Sequence, residues 1–568
     1  MRGRRGLAAV RARATGPRRR SLARRAALLC QRSLVLSVLI AGGLIADGPA
    51  RVLAGAPAEV PVLARIGPWP VASRLIGFQG RLWFANSVKG VNHNSADLYS
   101  YDPRSGALRY ERHLFSQDAG QPLAWNGLLY WPFEDSRASL GWGAYMVTDG
   151  THWRLGTIPT ARIFHVHAVA GFGRNLVAAT SAWRAGLQVS SDGGASWRRV
   201  YDHPTPARRV SRIVALAATA SGVFAQLIER GRHRLLHYDG KVTAEVPGWP
   251  VDRRIVGLAA YRGAVYGLVR EADGVAVWRS DGRRSERLFA PHERWQAQDI
   301  AAGAGSLWAV SAEEGRGTLW RSADGTDWRA VGVLRGGRPH ELAVYAGRVY
   351  VGGAGEDGRG ILWGTGRAAS SGVEAPRAAL PPATAASTDL DALARDLDRA
   401  LGEPDSYAGH GEKLRDLVYA AARGGARAEF FAERLTRPMA KHELSLIGGD
   451  VRVPAETLGR WILLWGMAIG GRGRVPPELI REPWHAESNR SQKYFAAPPM
   501  AVWAAAAIGQ RDRATITALI ERLGRPDEPP WLRGDVIGAL AALTDRRFAY
   551  DLAAWRAWWH AAAPSWPD

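Results

Sequence analysis

The amino-acid sequence predicts an all-β seven-bladed propeller followed by an all-α helical domain. Three observations predict this arrangement. A short apolar motif recurs seven times, at intervals of 47 and then 42 residues. Most copies are followed 15 to 19 residues later by an Asp turn, which gives four short strands in roughly 45 residues, the size of one propeller blade. Beyond residue 387 the apolar spacing changes to that of helices.

Length and composition are compatible with two folded domains. The chain has 568 residues, of which 46% are hydrophobic, and its mean hydropathy is −0.19. These values are typical of globular proteins. The predicted boundaries are an export signal with a basic n-region at 1–58, a propeller at 59–366, a linker at 367–387 and a helical domain at 388–568.

The N-terminal segment has the order of an export signal. Twelve arginines and only two acidic residues occur in the first sixty positions, and the apolar run Ser33–Ala46 follows most of these arginines. Alanines at 54, 56 and 58 then offer cleavage sites. The apolar run is shorter than the roughly 20 residues that span a bilayer. We therefore expect a periplasmic or extracellular protein, with an uncleaved N-terminal membrane anchor as the alternative.

The single cysteine, Cys30, precedes the apolar run and would be removed with the signal. A mature chain without thiols excludes a cysteine nucleophile, a disulfide and a thiolate metal site. The net charge is +22 for the whole chain and +10 for the first sixty residues, which leaves +12 beyond them. Because that remaining charge is spread along the chain, no nucleic-acid partner is predicted.

The seven apolar motifs mark one strand in each predicted blade. Their central residues are Trp83, Tyr130, Val177, Phe224, Tyr266, Trp308 and Tyr350. The Asp turns that follow the first six copies are at Asp102, Asp149, Asp192, Asp239, Asp281 and Asp324. Asp-Gly between alternating strands is a strong hairpin signal, because glycine accepts a positive φ and the Asp side chain bonds amides of its own turn.

Three of these turns resemble a known motif. The stretch "SSDGGASW", Ser190 to Trp197, resembles the Asp box of the bacterial neuraminidase (BNR) repeat, S-x-D-x-G-x-x-W, and "SADGTDW" and "VTDGTHW" are variants of it. The resemblance covers about residues 60–366 and implies a sialidase-like propeller whose boxes link the outer strands opposite the ligand face. A structural role is thus expected for Asp149, Asp192 and Asp324. Sialidases also carry a Phe-Arg-Ile-Pro element, which "ARIFH" and "ARIGP" do not match, so sialidase activity is not expected.

A Pro-, Ala- and Ser-rich linker separates the propeller from the helical domain. The first helix is predicted from Leu390, Leu393, Leu397 and Leu401, which share one face. Further helices are predicted at 412–423, 428–435, 455–469, 500–508, 513–523, 532–542 and 543–559. Paired amphipathic helices of this kind are similar to HEAT repeats. In the last segment Asp551 is the expected cap, and Trp555, Trp558 and Trp559 are expected to cover the core.

The first three blades break the repeat, and their loops are the candidate ligand-binding region. The loops at 86–97, 133–142 and 181–186 carry amides, a carboxylate pair and an aromatic side chain. The candidate residues in them are Asn86, His93, Asn94, Glu134, Asp135, Arg137, Trp183 and Arg184. Later loops, around Glu229, Glu271, Glu313 and Glu356, are monotonous acidic turns that we expect to be solvated.

His165 and His167 share one side of a predicted innermost strand, at the mouth of the channel. Alignment of the blades places Arg212, Arg254, Gln298 and His340 at or near the same level, so a polar ring is predicted at the channel entrance. No cofactor is predicted. A divalent metal at His165 and His167 is the alternative, because a His-x-His pair holds zinc when carboxylates complete the shell.

These observations predict a secreted, non-catalytic recognition or scaffold protein that binds a polar or carbohydrate-like ligand, or a protein partner, at the propeller mouth. Two enzymatic alternatives remain. One is a glycan-acting hydrolase or lyase with a sialidase-like propeller that lacks the sialidase motif. The other is a metal-dependent hydrolase that uses His165 and His167. No catalytic residue is assigned.

Overall fold

The structure, a computed structural model, describes residues 57–568 except 89–95, 115, 137–141, 160–162, 205–209, 314–315, 367–388, 403–409, 442, 447–450, 472 and 486–496. The predicted linker and all but the last two residues of the predicted export signal, including Cys30, lie outside the described residues. The candidate residues His93, Asn94 and Arg137 also lie outside them. Among the described residues, no helix is long and apolar enough to cross a membrane.

Strands fill the described part of residues 57–366. Those of the first half are β1 (Ala58–Glu59), β2 (Val62–Ile66), β3 (Val71–Phe78), β4 (Arg81–Ser87), β5 (Ala96–Tyr101), β6 (Leu108–Leu114), β7 (Ser116–Ala119), β8 (Leu123–Trp125), β9 (Leu128–Ser136), β10 (Gly143–Thr148), β11 (Trp153–Ile158), β12 (His165–Phe172), β13 (Asn175–Ser181), β14 (Ala185–Ser190) and β15 (Arg198–Asp202).

Those of the second half are β16 (Ser211–Thr219), β17 (Gly222–Glu229), β18 (Arg232–Tyr238), β19 (Thr243–Glu245), β20 (Ile255–Tyr261), β21 (Ala264–Arg270), β22 (Val275–Ser280), β23 (Ser285–Leu288), β24 (Ala297–Gly303), β25 (Ser306–Glu313), β26 (Arg316–Ser322), β27 (Arg329–Leu334), β28 (Gly337–Tyr345), β29 (Arg348–Gly355) and β30 (Gly360–Gly364).

The strands form blade-like antiparallel meanders. Sets such as β12–β15, β16–β19 and β20–β23 each pair in sequence order. Tight turns join the innermost strand of a set to the second strand, as at Arg262 and Gly263, where both φ values are positive, 47° and 77°. Two consecutive positive φ values match the right-handed twist of the flanking strands. The alternating sequence pattern thus forms compact sheets with short connections.

The innermost strands close into a ring. β3, β28, β24, β20, β16, β12 and β8 contact one another in that order, and β8 contacts β3 again. In the last set, β28, β29 and β30 are completed by β2 from the start of the domain, and a single pair, Ala354 with Val71, joins this set to β3. The short β1 adds to β27 in parallel. The repeat did not predict this closure, because the pairing is between segments almost 300 residues apart.

Helices dominate the described part of residues 389–568. They are α1 (Leu390–Gly402), α2 (His410–Arg423), α3 (Ala428–Leu435), α4 (Ala455–Gly470), α5 (Pro477–Arg481), α6 (Ala497–Ile508), α7 (Arg513–Leu523), α8 (Pro530–Thr544) and α9 (Leu552–Ala562). Two 3-10 turns (Glu482–His485 and Ala563–Ser565) and a hairpin of β31 (Glu443–Leu446) and β32 (Val451–Pro454) complete the region. The hairpin and α5 were not predicted.

The predicted helix at 543–559 is wrong in its first half. α8 ends at Thr544 because Asp545 adopts a left-handed conformation, with φ 58°, and α9 begins only at Leu552. Asp551 is its N-cap, as expected, and accepts a hydrogen bond from Ala554 N at 2.8 Å. Trp555 and Trp559 are buried, so these two tryptophans do cover the helical core.

Residues 56–568 form one compact unit, in which helices pack directly on the propeller. Asp97 of β5 is fully buried at this contact and accepts hydrogen bonds from Tyr550 Oη and from Trp69 Nε1, both at 2.7 Å. His113 Nδ1 lies 2.7 Å from the other oxygen of Asp97. One buried carboxylate therefore connects two propeller segments to the loop that precedes α9.

Candidate functional site

A β-bulge recurs at one level of the innermost strands and sets the geometry of the channel mouth. The register shifts between Val166 and Ala168 in β12 and at matching places in β3, β16, β20, β24 and β28. The shifts fall at Arg74, His167, Val214, Val256, Gln298 and His340. Bulges re-aim side chains, so the bulge decides which residues share this level of the inner strands.

The predicted polar ring is split between two levels. Gln298 and His340 lie at the bulge level with His167, whereas Arg212 and Arg254 lie two residues before it, level with His165. The alignment of the blades with one another placed these residues at or near one level, because the amino-acid sequence does not show the bulge. Arg212 is half-buried, and Arg254 is exposed at the rim.

His165 and His167 lie side by side, as predicted. Their rings stack at a centroid distance of 5.2 Å, and His167 Nε2 lies 2.9 Å from Ser181 Oγ. Burial and then the neighbouring Arg212 lower the pKa of His165 to about 3. Burial lowers the pKa of His167 well below its usual value, with additional effects from His165 and Arg212. Both rings are therefore neutral at physiological pH.

The alternative of a metal ion at His165 and His167 needs further ligands to complete its shell. Within the residues that the structure describes, no group of three or more His, Cys, Asp or Glu side chains is placed to hold a metal ion. A zinc site uses three or four protein ligands. The bond from His167 to Ser181 instead matches a channel-wall residue whose polar atom is satisfied.

Carboxylates deeper in the channel join neighbouring inner strands, and sequence reasoning missed them. Glu341 of β28 accepts a hydrogen bond from Arg74 N at 2.5 Å and lies 3.6 Å from the Arg74 guanidinium. Asp299 of β24 accepts one from Leu342 N at 3.0 Å. Both carboxylates directly follow a bulge. Each therefore fastens its own strand to the next strand around the ring.

Arg74 is the centre of this charged group. Its Nε donates to Ala119 O at 3.1 Å, so it also reaches the second sheet. Burial lowers the pKa of Arg74. The negative charges of four carboxylates raise it by a larger amount, so the net shift is upward; these carboxylates are Glu341, Asp118, Glu134 and Asp299. The predicted residue Glu134 thus lies near Arg74, in strand β9 rather than in an exposed loop.

A glutamine makes a comparable contact on the other side of the ring. Gln121 N donates to His167 O at 2.7 Å. Its side chain then bonds both backbone groups of Leu216 in β16: Nε2 donates to the carbonyl at 2.9 Å, and Oε1 accepts from the amide at 3.0 Å. Inner strands are therefore connected by polar side chains on both sides of the channel.

Asn86 has a structural role instead of the predicted ligand contact. It is fully buried in β4, where its side chain bonds the amide and carbonyl of Trp69 and the carbonyl of Val71 at 2.8–3.0 Å. These bonds leave no amide group for a ligand. Asp97, at the other end of the same predicted loop, is a strand residue at the contact with the helices.

The second predicted loop is also shorter than expected. Phe133 to Ser136 belong to β9, which includes Asp135, and Trp142 is buried. The Trp142 ring contacts Tyr419 of α2 edge-on at 4.7 Å and lies 4.3 Å from the guanidinium of Arg415. This loop therefore ends against the helices.

The third loop keeps its predicted exposure. The Trp183 side chain is 50% exposed between β13 and β14, and its neighbour Arg184 is exposed and lies 4.0 Å from Asp202. Loops between the second and third strands of a meander lie at the same end as the start of the innermost strand. Trp183 therefore lies at the same end of the propeller as His165.

The acidic turns of later blades are partly paired. Glu229 lies 3.4 Å from His203, Glu271 is 2.8 Å from Arg287, and Glu313 is 3.4 Å from His292. These contacts fix loop tips locally. The expectation of solvated turns is therefore met only in part, because the Glu229, Glu271 and Glu313 side chains are half-buried.

No protein-family model and no curated protein matches the chain. Solved structures do match. The computationally designed Ika8 protein covers 53% of this chain with 99% of its own, at 14% identity and a TM-score of 0.37. YCF48 bound to D1 peptide covers 56% with 100%, at 12% identity and a TM-score of 0.38.

The WD40 domain of Pan2 from Neurospora crassa covers 54% of the chain with 91% of its own, at 12% identity and a TM-score of 0.36. Likenesses at this level carry no conclusion about function. The propeller assignment rests on the meander order of the sheets, the ring of inner strands and the closure by β2.

Proposed function

We propose that this protein is an exported, non-catalytic recognition protein that binds a partner at the mouth of a seven-bladed propeller. The use of the channel carboxylates carries this proposal. Asp299 and Glu341 both accept backbone amides of neighbouring strands. A glycosidase needs two carboxyl groups that face the substrate. Because Asp299 and Glu341 bind the backbone of neighbouring strands, we infer that they stabilise the channel instead of facing a substrate.

The blade count follows from reading the eight-stranded sheet as two blades. That sheet contains β3–β6 together with β28–β30 and β2, and the two sets share one residue pair. With the five other propeller sheets, this reading gives seven blades. The three Asp turns that resemble the BNR motif link third and fourth strands, which supports a sialidase-like blade type.

The mouth offers groups suited to a partner protein segment. Trp183 supplies an exposed aromatic surface, while Arg184, Arg212 and Arg254 supply donors. Exposed Trp and Arg are enriched among residues that dominate binding energy in protein interfaces. A carbohydrate is the second ligand class, because an exposed indole also provides a flat apolar surface for a sugar.

Binding is tested by screening a displayed random peptide library and a glycan array with the mature protein. Trp183→Ala should lower the affinity for the selected ligands at least tenfold. The matched control is Val242→Ala, since Val242 is 63% exposed in a turn on the opposite face. Equal loss in both variants, or no enriched ligand in either screen, would refute binding at the mouth.

A double-mutant cycle tests whether the mouth and the channel form one site. His167→Ala and Glu134→Ala should each weaken a selected ligand, and the double variant should lose less than the sum, because residues of one site are coupled. Glu313→Ala, in a paired turn, is the control and should change affinity little. Strictly additive losses would show that the two residues do not share one site. Wild-type affinity in the folded fraction of each variant would limit them to a structural role.

A glycan-acting hydrolase or lyase is the second candidate, and one observation favours it. Burial and then Glu341 raise the pKa of Asp299 to about 8, against the effect of the Leu342 amide. A carboxylic acid that is protonated at neutral pH is a feature of general acids. Turnover of a glycan substrate by the wild type that is abolished by Asp299→Asn and by Glu341→Gln would establish this function instead.

Export is tested by fractionation of cells that express the chain with a C-terminal tag. The expected product lies outside the cytoplasm and is shorter by about 56 to 58 residues if the signal is cleaved. A full-length, cytoplasmic product would contradict export.

A further inference from the structure

A second cleft lies on the opposite face from the mouth. Its volume is about 390 Å³, and it is lined by Gln79, Arg81, Trp83, Arg109, Gly150, Thr151 and Arg547. Gln79 lies in the turn between β3 and β4, and Gly150 and Thr151 lie in the turn between β10 and β11, whereas Arg547 lies between α8 and α9. The propeller and the helices thus build the cleft jointly. Its volume falls within the roughly 300–1,000 Å³ of small-molecule sites.

Two of the three arginines are held in place by neutral acceptors. Arg81 Nε donates to Ser100 Oγ at 2.6 Å, and its Nη2 lies 3.3 Å from the carbonyl of Ala107. Arg547 Nη1 lies 3.4 Å from the carbonyl of Glu111. Contacts with neutral groups fix a guanidinium without cancelling its charge.

The arginine charges are only partly neutralised. Glu111, 2% exposed, is shared: its Oε2 lies 3.0 Å from Arg109 Nη2 and 3.7 Å from Arg547 Nη1. Burial, and then repulsion by Arg109, lowers the pKa of Arg547. One buried carboxylate therefore serves two guanidinium groups.

The remaining arginine also lacks a dedicated carboxylate. Asp102 lies 3.8 Å from Arg81 Nη1, but its oxygens accept from Arg104 N at 2.8 Å and from Ser105 Oγ at 2.9 Å within its own turn. Asp545 also acts on Arg547 and raises its pKa, against the effect of Arg109. The three guanidinium groups thus lie among carboxylates that other groups share, and the Arg109 and Arg547 side chains remain 43% and 32% exposed.

We propose that this cleft binds the phosphate or sulfate group of a small ligand through Arg81, Arg109 and Arg547. The planar guanidinium presents parallel N–H donors that match tetrahedral oxyanions, and charge-assisted bonds of this kind are the strongest available to a surface site. A partly neutralised cluster gains from an added anion, because that anion relieves the repulsion between Arg109 and Arg547. Since Arg547 comes from the helical region, the ligand also contacts both parts of the compact unit.

Isothermal titration with inorganic phosphate and with inorganic sulfate, at ionic strength held constant with chloride, tests the proposal. The wild type should show one saturable site for at least one of the two anions. The double variant Arg109→Gln/Arg547→Gln should lower the affinity for that anion at least tenfold. Arg174→Gln/Arg283→Gln removes the same charge from exposed turns of the same face and should not change the affinity.

Arg547→Lys is a second variant that keeps the charge and guards against misfolding of the double variant. It should weaken binding because the forked donor is lost, whereas a general charge effect would leave the affinity unchanged. Glucose 6-phosphate and glucose 6-sulfate, used as probes, distinguish the two anion sources. Absence of a saturable site in the wild type, or equal affinity in wild type and Arg109→Gln/Arg547→Gln, would overturn the proposal. Trp183→Ala should leave phosphate binding intact, which separates this site from the mouth.

Discussion

The Asp299 side chain lies beside Glu341 in the channel, where a catalytic acid would face a substrate. Its carboxylate is nevertheless a backbone acceptor, and burial together with Glu341 raises its pKa to about 8. Its pKa in the unfolded chain is near 3.9. The folded protein therefore binds one more proton than the unfolded chain between these values, and its stability decreases as pH rises through that window.

Asp299→Asn should remove this pH dependence. Asn keeps an oxygen that accepts from Leu342 N and carries no charge, so the variant should be more stable than the wild type at pH 8.5 and should differ less at pH 5. Chemical denaturation at the two pH values measures the effect. The assigned pKa shift would be contradicted if the unfolding free energy of the wild type rose between pH 5 and pH 8.5 and that of Asp299→Asn rose in the same way.

The Asp turns illustrate a purely structural carboxylate. Asp192 accepts hydrogen bonds from the amide and hydroxyl of Ser196, at 2.9 and 2.5 Å, and from Ser190 Oγ at 2.7 Å. Burial raises the pKa of Asp192, but the bonds from Ser196 and Ser190 together outweigh burial and lower it. The side chain organises its own hairpin, as the sequence predicted.

Asp192→Ala should cost about 1 kcal/mol of stability, as for other capping and turn side chains. Ligand binding at the mouth, measured below the melting temperature, should equal that of the wild type because the turn lies on the other face. Thermal unfolding and a binding titration measure the two effects. Loss of binding with an unchanged melting temperature would place the Asp turns on the ligand face.

At the scale of elements, local signals predicted most strands and helices. α3 and α7 have the predicted bounds, and Asp512 caps α7 by accepting from Thr515 N at 2.9 Å. Prediction failed in two places for different reasons. The closure by β2 depends on pairing with the distant β30. The end of α8 depends on the left-handed conformation of Asp545, which the spacing of apolar residues does not show.

The candidate site was predicted less completely than the fold. The stacked pair of His165 and His167 follows from strand alternation and was found. Asn86 was misassigned because its partners, Trp69 and Val71, lie 15 to 17 residues away in the chain. The channel carboxylates were missed because a bulge shifts each inner strand by one residue, which alternation alone does not show. A polar residue directly after the bulge position in the aligned repeats is the signal for them.

The connection made by Gln121 tests the importance of contacts between inner strands. Gln121→Ala leaves the amide and carbonyl of buried Leu216 without the side-chain partner, and an unsatisfied buried group costs about 1–3 kcal/mol. We expect a loss of about 2 kcal/mol in denaturant unfolding. Gln298→Ala is the control, because Gln298 Nε2 donates locally, to Gln296 O two residues earlier in the chain. Similar losses in both variants would show that the contact between strands adds nothing.

At the scale of the whole molecule, the linker is expected to be cut by proteases, whereas the buried contact between the propeller and the helices should hold the two parts together. The sequence predicts that a protease cuts within 367–387 and yields a β-rich and a helix-rich fragment. The structure adds a buried contact between these parts, at Asp97, His113 and Tyr550. α8 crosses this contact closely, because a β-carbon placed at Gly534 would lie 2.3 Å from the His113 ring.

Cleavage at a protease site inserted into the linker should therefore leave the two fragments bound to each other. Gly534→Ala forces the His113 ring away from Asp97 and should release the fragments or weaken their association. Gly538→Ala is the matched control on the same helix, since its β-carbon would meet only His113 Cβ, at an ordinary 3.6 Å. Size-exclusion chromatography of the cleaved proteins measures the association. Separation of the wild-type fragments, or equal behaviour of the two glycine variants, would show that the buried Asp97 contact does not hold the helices on the propeller.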